Sequence, residues 1–97
     1  MKISIVICTY NGAKFLGEQL DSIVSQSLSP YELIAQDDGS SDGTWNILLK
    51  YAERYPYIKV YKNPKERGIN NNFFSAIKRA TGDLIAISDQ DDIWESN

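Results

Sequence analysis

The chain has 97 residues, 42% hydrophobic and 24% charged, the profile of one small globular domain. Lys and Arg number 10 against 13 Asp and Glu, a net charge of -3, and the basic residues are scattered, which argues against a nucleic-acid surface. Histidine is absent, so His-based triads and His-ligated zinc are excluded and carboxylates become the main catalytic groups.

Met1 and Lys2 lead into "ISIVIC" (3–8), apolar at consecutive positions as a strand covered on both faces requires. The run is too short for a secretory signal or a bilayer span, so the N-terminus reads as cytoplasmic. Cys8, the single cysteine, lies in this strand as a core thiol and fits a reducing compartment. "TYNG" breaks the strand, and Asn11 is the expected N-cap of a helix with Leu16, Leu20, Ile23, Val24 and Leu28 on one stripe. Pro30 ends that region, and "YELIAQ" (31–36) is a second short strand. "DDGSSDGT" is turn and cap chemistry. A second helix carries Trp45, Leu48, Leu49, Ala52 and Tyr55, and Pro56 closes it. "YIKVY" (57–61) alternates with polar residues, as a more exposed third strand does. After the polar loop "KNPKERGINN", a third helix places Phe73, Ala76, Ile77 and Ala80 on one face, with Gly82 expected at its C′ position. "DLIAIS" (83–88) is the fourth strand. The chain stops at Asn97, just after what reads as the start of another helix.

The order β-α-β-α-β-α-β, with short links and no repeats, predicts an α/β, Rossmann-like parallel sheet with right-handed crossovers. "TYN", "QDDGSSDGT" and "DQDD" follow strands one, two and four, at the carboxyl ends where open α/β sheets bind ligands. A strand order of 3-2-1-4 would collect all three clusters in one crevice at the topological switch point.

In "DDGSSDG" (37–43), turn and cap requirements explain Gly39, Ser40, Ser41, Asp42 and Gly43, with Ser41 or Asp42 capping the second helix. They do not explain Asp37 and Asp38 side by side at a strand end. A calcium loop starting at Asp38 fails, because its twelfth position is Leu49 and not Glu. Asp38 instead suits a ligand N–H or a ribose hydroxyl. Thr9, Tyr10 and Asn11 offer a ring and two polar side chains, which suit a nucleobase face and edge but also suit a cap and a half-buried ring.

In "DQDDIW", Asp92 with Glu95 three residues on resembles a capping box. Asp89 and Asp91 are then left over, and in an extended segment they point the same way, about 7 Å apart. That pattern suits Mg²⁺ or Mn²⁺ held by one or two carboxylates, with the remaining oxygens from water and phosphate. Glycine-rich phosphate loops are absent, since the first strand runs into "TYNGAK". Phosphate charge must then be met by metal; Lys65 and Arg67 could assist, although an exposed basic loop is more often simply solvated.

"SIVICTYNGAKFLGEQLDSIVSQSL", "DDGSSDGT" and "NNNFFSAIKRATGDLIAISDQDDIW" together resemble the N-terminal half of family 2 glycosyltransferases. The match runs in order through essentially the whole chain, and "DQDDIW" looks most like a bacterial branch that includes rhamnosyltransferases. The resemblance implies the nucleotide-binding half of a glycosyltransferase-A fold, a nucleotide-diphosphate sugar donor, inversion at the anomeric carbon, and a glycan or lipid-linked acceptor. It puts Thr9, Tyr10 and Asn11 against the nucleobase and Asp38 on the base. The family's Asp-x-Asp motif falls on Asp89 and Asp91, with Asp91 the metal ligand for Mn²⁺ or Mg²⁺ and Asp89 toward the ribose or sugar. It further implies work in polysaccharide or cell-envelope synthesis, in the cytoplasm or at the inner face of the membrane.

The family carries its acceptor site and catalytic base well downstream of the Asp-x-Asp. Residues 1–97 therefore read as a donor-binding part whose base is expected beyond Asn97, with self-association expected from apolar surface around the fourth strand. A phosphoacceptor receiver domain is excluded, because it needs an acidic pair after the first strand and an Asp after the third. A non-catalytic nucleotide-binding or oligomerisation module is the alternative for the isolated chain.

Overall fold

A computed structural model describes residues 1–26, 30–64 and 68–88, with the backbone alone at 69 and 70. The elements follow the expected alternation: β1 (Ile3–Thr9), α1 (Ala13–Val24), β2 (Glu32–Asp37), α2 (Thr44–Arg54), β3 (Ile58–Lys62), α3 (Ile69–Arg79) and β4 (Leu84–Ser88). All three strand pairings are parallel, and the order is β3-β2-β1-β4, as the cluster argument required. In register, Ile7 lies between Ala35 of β2 and Ser88 of β4, and Thr9 lies beside Asp37.

Period-2 alternation sorts the side chains of β1 and β2 onto two unlike faces. On one, Ile5, Ile7, Leu33 and Ala35 bury against Leu16, Leu20 and Ile23 of α1 and Leu48 of α2, and Ile58 joins them. Each large side chain in this cluster is worth roughly 1.5–3 kcal/mol of burial. The buried α1 residues Leu16, Gln19, Leu20 and Ile23 follow helical spacing, which is why the stripe was visible in the sequence. On the other face the apolar cluster is small, with Val6, Ile34 and Ala76 fully buried.

Polar groups complete that second face. Gln36 and Asn72 each donate a side-chain N–H to the other's backbone carbonyl, at 3.2 and 3.0 Å, and Arg79 Nε donates to Gln36 Oε1 at 2.9 Å. The Arg79 guanidinium also stacks 3.9 Å from the centre of the Tyr61 ring. At the amino end of β2, buried Glu32 accepts from Ser4 Oγ, Thr81 N–H, Thr81 Oγ1 and Lys59 Nζ. Burial alone would raise the Glu32 carboxyl; the bonds from Ser4, Thr81 and Lys59 outweigh it and hold the group at about 2.

Three local expectations are corrected. Asn11 does not cap α1: Gly12 is the N-cap, and Asn11 sits in the left-handed region at φ 49, which Asn tolerates better than most residues. Gly82 is not a helix terminator either, since α3 ends at Ala80 in extended geometry. A Cβ on Gly82 would lie 2.6 Å from Ser4 Oγ and 2.8 Å from the Lys2 carbonyl, so the glycine allows close approach to β1. Leu49 faces solvent, one position round the helix from buried Leu48. Expectations for Leu28, Lys65, Arg67, Asp89, Asp91 and Asp92 lie outside the described residues.

β4 pairs with β1 along one edge, and Leu84, Ile85 and Ile87 are exposed. Among the described residues, no helix is long and apolar enough to cross a membrane.

Candidate functional site: the strand tips

The carboxyl ends of β1 and β2 are tied together by side chains. Asp37 is buried, and both its oxygens are in use: Oδ1 accepts from Thr9 Oγ1 at 2.8 Å and Ser40 Oγ at 2.6 Å, and Oδ2 accepts from Ser40 N–H at 2.8 Å and Gly39 N–H at 3.1 Å. A buried carboxylate is tolerated here because four donors replace its water. Gly39 adopts φ 87, a left-handed conformation that L side chains rarely accept, and this bends the loop back over Asp37. Asp37 therefore shapes the loop. The hydroxyl of Thr9, 1% exposed, is directed into that network.

The turn after β1 is bonded to the loop after β2. Asn11 N–H donates to Ser40 Oγ at 2.8 Å, and Asn11 Oδ1 accepts from Ser41 N–H at 2.8 Å. Gly12 N–H donates to Thr44 Oγ1 at 2.9 Å, and Ala13 N–H donates to Asp42 Oδ2 at 3.2 Å. Asp42 also takes the Thr44 N–H at 2.9 Å, so it serves the start of α2 from the position before the N-cap Gly43. The Thr44 hydroxyl first, and then the Thr44 N–H, hold the Asp42 carboxyl below its ordinary range. One consequence concerns phosphate. A free helix N-terminus attracts phosphate, but at α1 two leading N–H groups are taken and one of the takers is anionic.

Asp38 differs from its neighbour. It is partly buried, its N–H donates to the Thr9 carbonyl, and its carboxylate leans across β2 toward the β3–α3 connection. Oδ1 accepts from Asn63 Nδ2 at 2.8 Å, and Gly68 N–H bridges the two oxygens at 3.1 and 3.3 Å. A carboxylate has about four acceptor positions. The bonds described leave Oδ2 with its share of one bridging N–H, so acceptor capacity remains at the β2 tip. Tyr10, 40% exposed, stands at the tip of β1.

Sequence reasoning missed Asn63, Ser40, Ser41 and Thr44 as partners of the site. Asn63 lies 25 residues from Asp38, with nothing in its local pattern to mark the contact. The description ends at Ser88, the residue before Asp89, so the site collects the β1 and β2 clusters as expected and leaves "DQDD" outside what is described. Among the described residues no group of three or more Cys, Asp or Glu could hold a metal. Asp37 is saturated by its own loop and Asp38 is engaged by Asn63 and Gly68.

A parallel sheet of order β3-β2-β1-β4, with the polar tips of β1 and β2 tied together, defines the Rossmann-like α/β class, whose ligands bind at the carboxyl ends of the strands. The chain matches the model of Glycosyl transferase family 2 over residues 4–97 and belongs to that family. It is 36% identical over 95 residues to a cholesterol galactosyltransferase of Borreliella burgdorferi, covering 98% of this chain and 26% of the relative. The fold superposes with a TM-score of 0.85 and 30% identity on the mannosyltransferase PcManGT from Pyrobaculum calidifontis in complex with GDP-Man and Mn²⁺, covering 96% of this chain and 28% of that one. TarS 1-349 of S. aureus in complex with UDP superposes with a TM-score of 0.81 and 30% identity, covering 96% and 28%. These neighbours are glycosyltransferases of the glycosyltransferase-A fold, and this chain shares that fold. It spans about a quarter of their length.

Proposed function

We propose that residues 1–97 form the donor-binding part of an inverting, metal-dependent glycosyltransferase that takes a sugar from a nucleotide-diphosphate donor to a glycan or lipid-linked hydroxyl. The observation that carries this reading is the contrast at the β2 tip. Asp37 is consumed by the loop, whereas Asp38 keeps acceptor capacity at the crevice, in a fold shared with chains that bind GDP-Man or UDP. Asp38 accepts a hydrogen bond from the nucleobase or ribose, and Tyr10 packs on the base. Thr9 and Asn11 act from within the same tip, mainly by fixing its shape. Asp89 and Asp91 would hold Mn²⁺ or Mg²⁺, with Asp91 the principal ligand; when bound, the cation supplies positive charge against the diphosphate leaving group.

Transfer also needs a base that removes the acceptor's hydroxyl proton from the opposite face of the sugar. No described carboxylate at the tips of β1 and β2 is placed for that task, which supports a base and acceptor site beyond residue 97. A cytoplasmic donor site, at the inner membrane face for a lipid-linked acceptor, fits a chain whose single cysteine, Cys8, has no second cysteine within these residues to form a disulfide with.

Calorimetry with UDP, TDP and GDP, each with and without Mn²⁺, tests this reading. Binding of the preferred nucleotide should strengthen on adding Mn²⁺, and Asp91→Asn should remove most of that gain. Equal binding with and without metal, in parent and variant, would return "DQDD" to a helix cap.

A further inference from the structure

An asparagine or aspartate followed by glycine is the most labile kind of peptide link. Without a Cβ on the next residue, its backbone nitrogen can reach the side-chain carbonyl carbon. The sequence holds three such links, Asn11–Gly12, Asp38–Gly39 and Asp42–Gly43, and all lie in the turn after β1 or the loop after β2. Asn11–Gly12 is the reactive one at neutral pH. Its amide carbon accepts a nucleophile, whereas an ionised carboxylate repels one.

The fold restrains both reacting groups. Asn11 is exposed, so water reaches it. The attacking atom is the Gly12 nitrogen, yet its proton is donated to Thr44 Oγ1 at 2.9 Å in a buried setting. Attack requires loss of that proton, and therefore of that bond. The Asn11 Oδ1 is held by the Ser41 N–H at 2.8 Å, and the Asn11 N–H by Ser40 Oγ at 2.8 Å, with φ at 49. The Ser41 bond orients the side chain and also polarises its carbonyl, which leaves the Thr44 bond as the restraint on the reaction. Thr44 is 0% exposed, so the restraint is not exchanged for water while the loop is closed.

We propose that Asn11 is a site of spontaneous modification, held closed by Thr44 and released when the loop after β2 opens. On release the Gly12 nitrogen forms a bond to Asn11 Cγ, and the side-chain nitrogen leaves as ammonia, carrying the proton that Gly12 gave up. Water then opens the succinimide ring at either carbonyl, giving aspartate or isoaspartate at residue 11. Aspartate adds negative charge to strand tips that already hold Asp37 and Asp42. Isoaspartate adds a carbon to the main chain between the Ser40 and Thr44 contacts, and so uncouples the ties that join the β1 and β2 tips.

Peptide mapping by mass spectrometry tests this on the folded chain aged at neutral pH and body temperature, with Asn46 of α2 as the internal reference. Asn11 should convert slowly in the parent and far faster in denaturant. Thr44→Val should raise the folded-state rate about tenfold, the upper end of what one hydrogen bond is worth. Glu32→Gln weakens the fold at the opposite end of β2, where four donors meet that carboxylate, and should leave the Asn11 rate near the parent's. Circular dichroism establishes that each variant is folded. If Thr44→Val is not, Ser40→Ala, which releases the Asn11 N–H, takes its place with the same expected direction. A parent rate equal to that in denaturant, or a folded loop variant no faster than the parent, would overturn the proposal. So would an equal acceleration by Glu32→Gln, which would assign the protection to the fold at large.

Discussion

Asp37 and Asp38 are adjacent, identical in chemistry and opposite in use. Alternation along β2 turns them to different sides: Asp37 faces Thr9 and its own loop, whereas Asp38 faces Asn63 and Gly68. Asp38→Asn would keep the shape but replace one acceptor oxygen by an N–H donor, which cannot accept from Gly68 or from a base N–H. Nucleoside diphosphate affinity should fall by roughly 1–3 kcal/mol, the range for an unmade hydrogen bond to a charged group, as read by titration calorimetry. Unchanged affinity would remove Asp38 from the ligand site. Asp42→Asn makes a useful contrast. That side chain is exposed and serves the starts of α1 and α2, so stability should move slightly and binding little.

Among the elements, β2 organises the fold from both ends. All six of its residues are buried, three of them polar, and each of these three is satisfied by partners from other elements or loops. At the amino end the Glu32 value of about 2 lies below the ordinary 4.5, so the carboxylate stabilises the fold above pH 4.5 and loses that contribution as pH falls toward 2. At about 1.4 kcal/mol per unit, the effect is roughly 3 kcal/mol. Chemical denaturation across pH 2–6 should show the corresponding slope below pH 4.5. Glu32→Gln should flatten it and lower neutral-pH stability by roughly 2–3 kcal/mol. Lys59 contributes less to this than Ser4 and the Thr81 N–H, and its side chain is 49% exposed.

The sequence made β2 visible as a strand and Leu16, Leu20, Ile23 and Leu48 visible as core, because helix and strand periods are local properties. It also made the β1 and β2 tips recognisable as one site, since parallel alternation puts every strand's carboxyl end on the same side. It could not reveal that Asn63 holds Asp38 or that Gln19 meets Ser88. Those pairs are 25 and 69 residues apart, and only the folded register brings them together. Gly82 misled for a related reason: a glycine after a helix resembles a terminator, while the atoms that exclude a Cβ belong to Lys2 and Ser4 at the far end of the chain.

For the molecule as a whole, β4 is the weak boundary. Among the described residues it pairs on one edge alone, with β1, and exposes Leu84, Ile85 and Ile87 on its faces, a combination that invites strand pairing. The isolated chain should self-associate in sedimentation velocity runs, and Ile85→Lys should shift it toward monomer by placing charge beside that edge. A parent chain that stays monomeric at high concentration would show the edge to be protected.

The strand order also sets a timetable for synthesis. Ser4 of β1 meets its β2 partner Glu32 28 residues later, whereas Lys2, just ahead of β1, meets Asp83, just ahead of β4, 81 residues later. At ~5–20 residues per second, the second of these contacts waits roughly 4–16 s on the ribosome. Throughout that interval the strand that finishes inside the sheet is itself an edge, its "ISIVIC" backbone groups open to any neighbouring nascent chain. That edge is a pairing hazard of synthesis alone, one that the completed fold no longer shows.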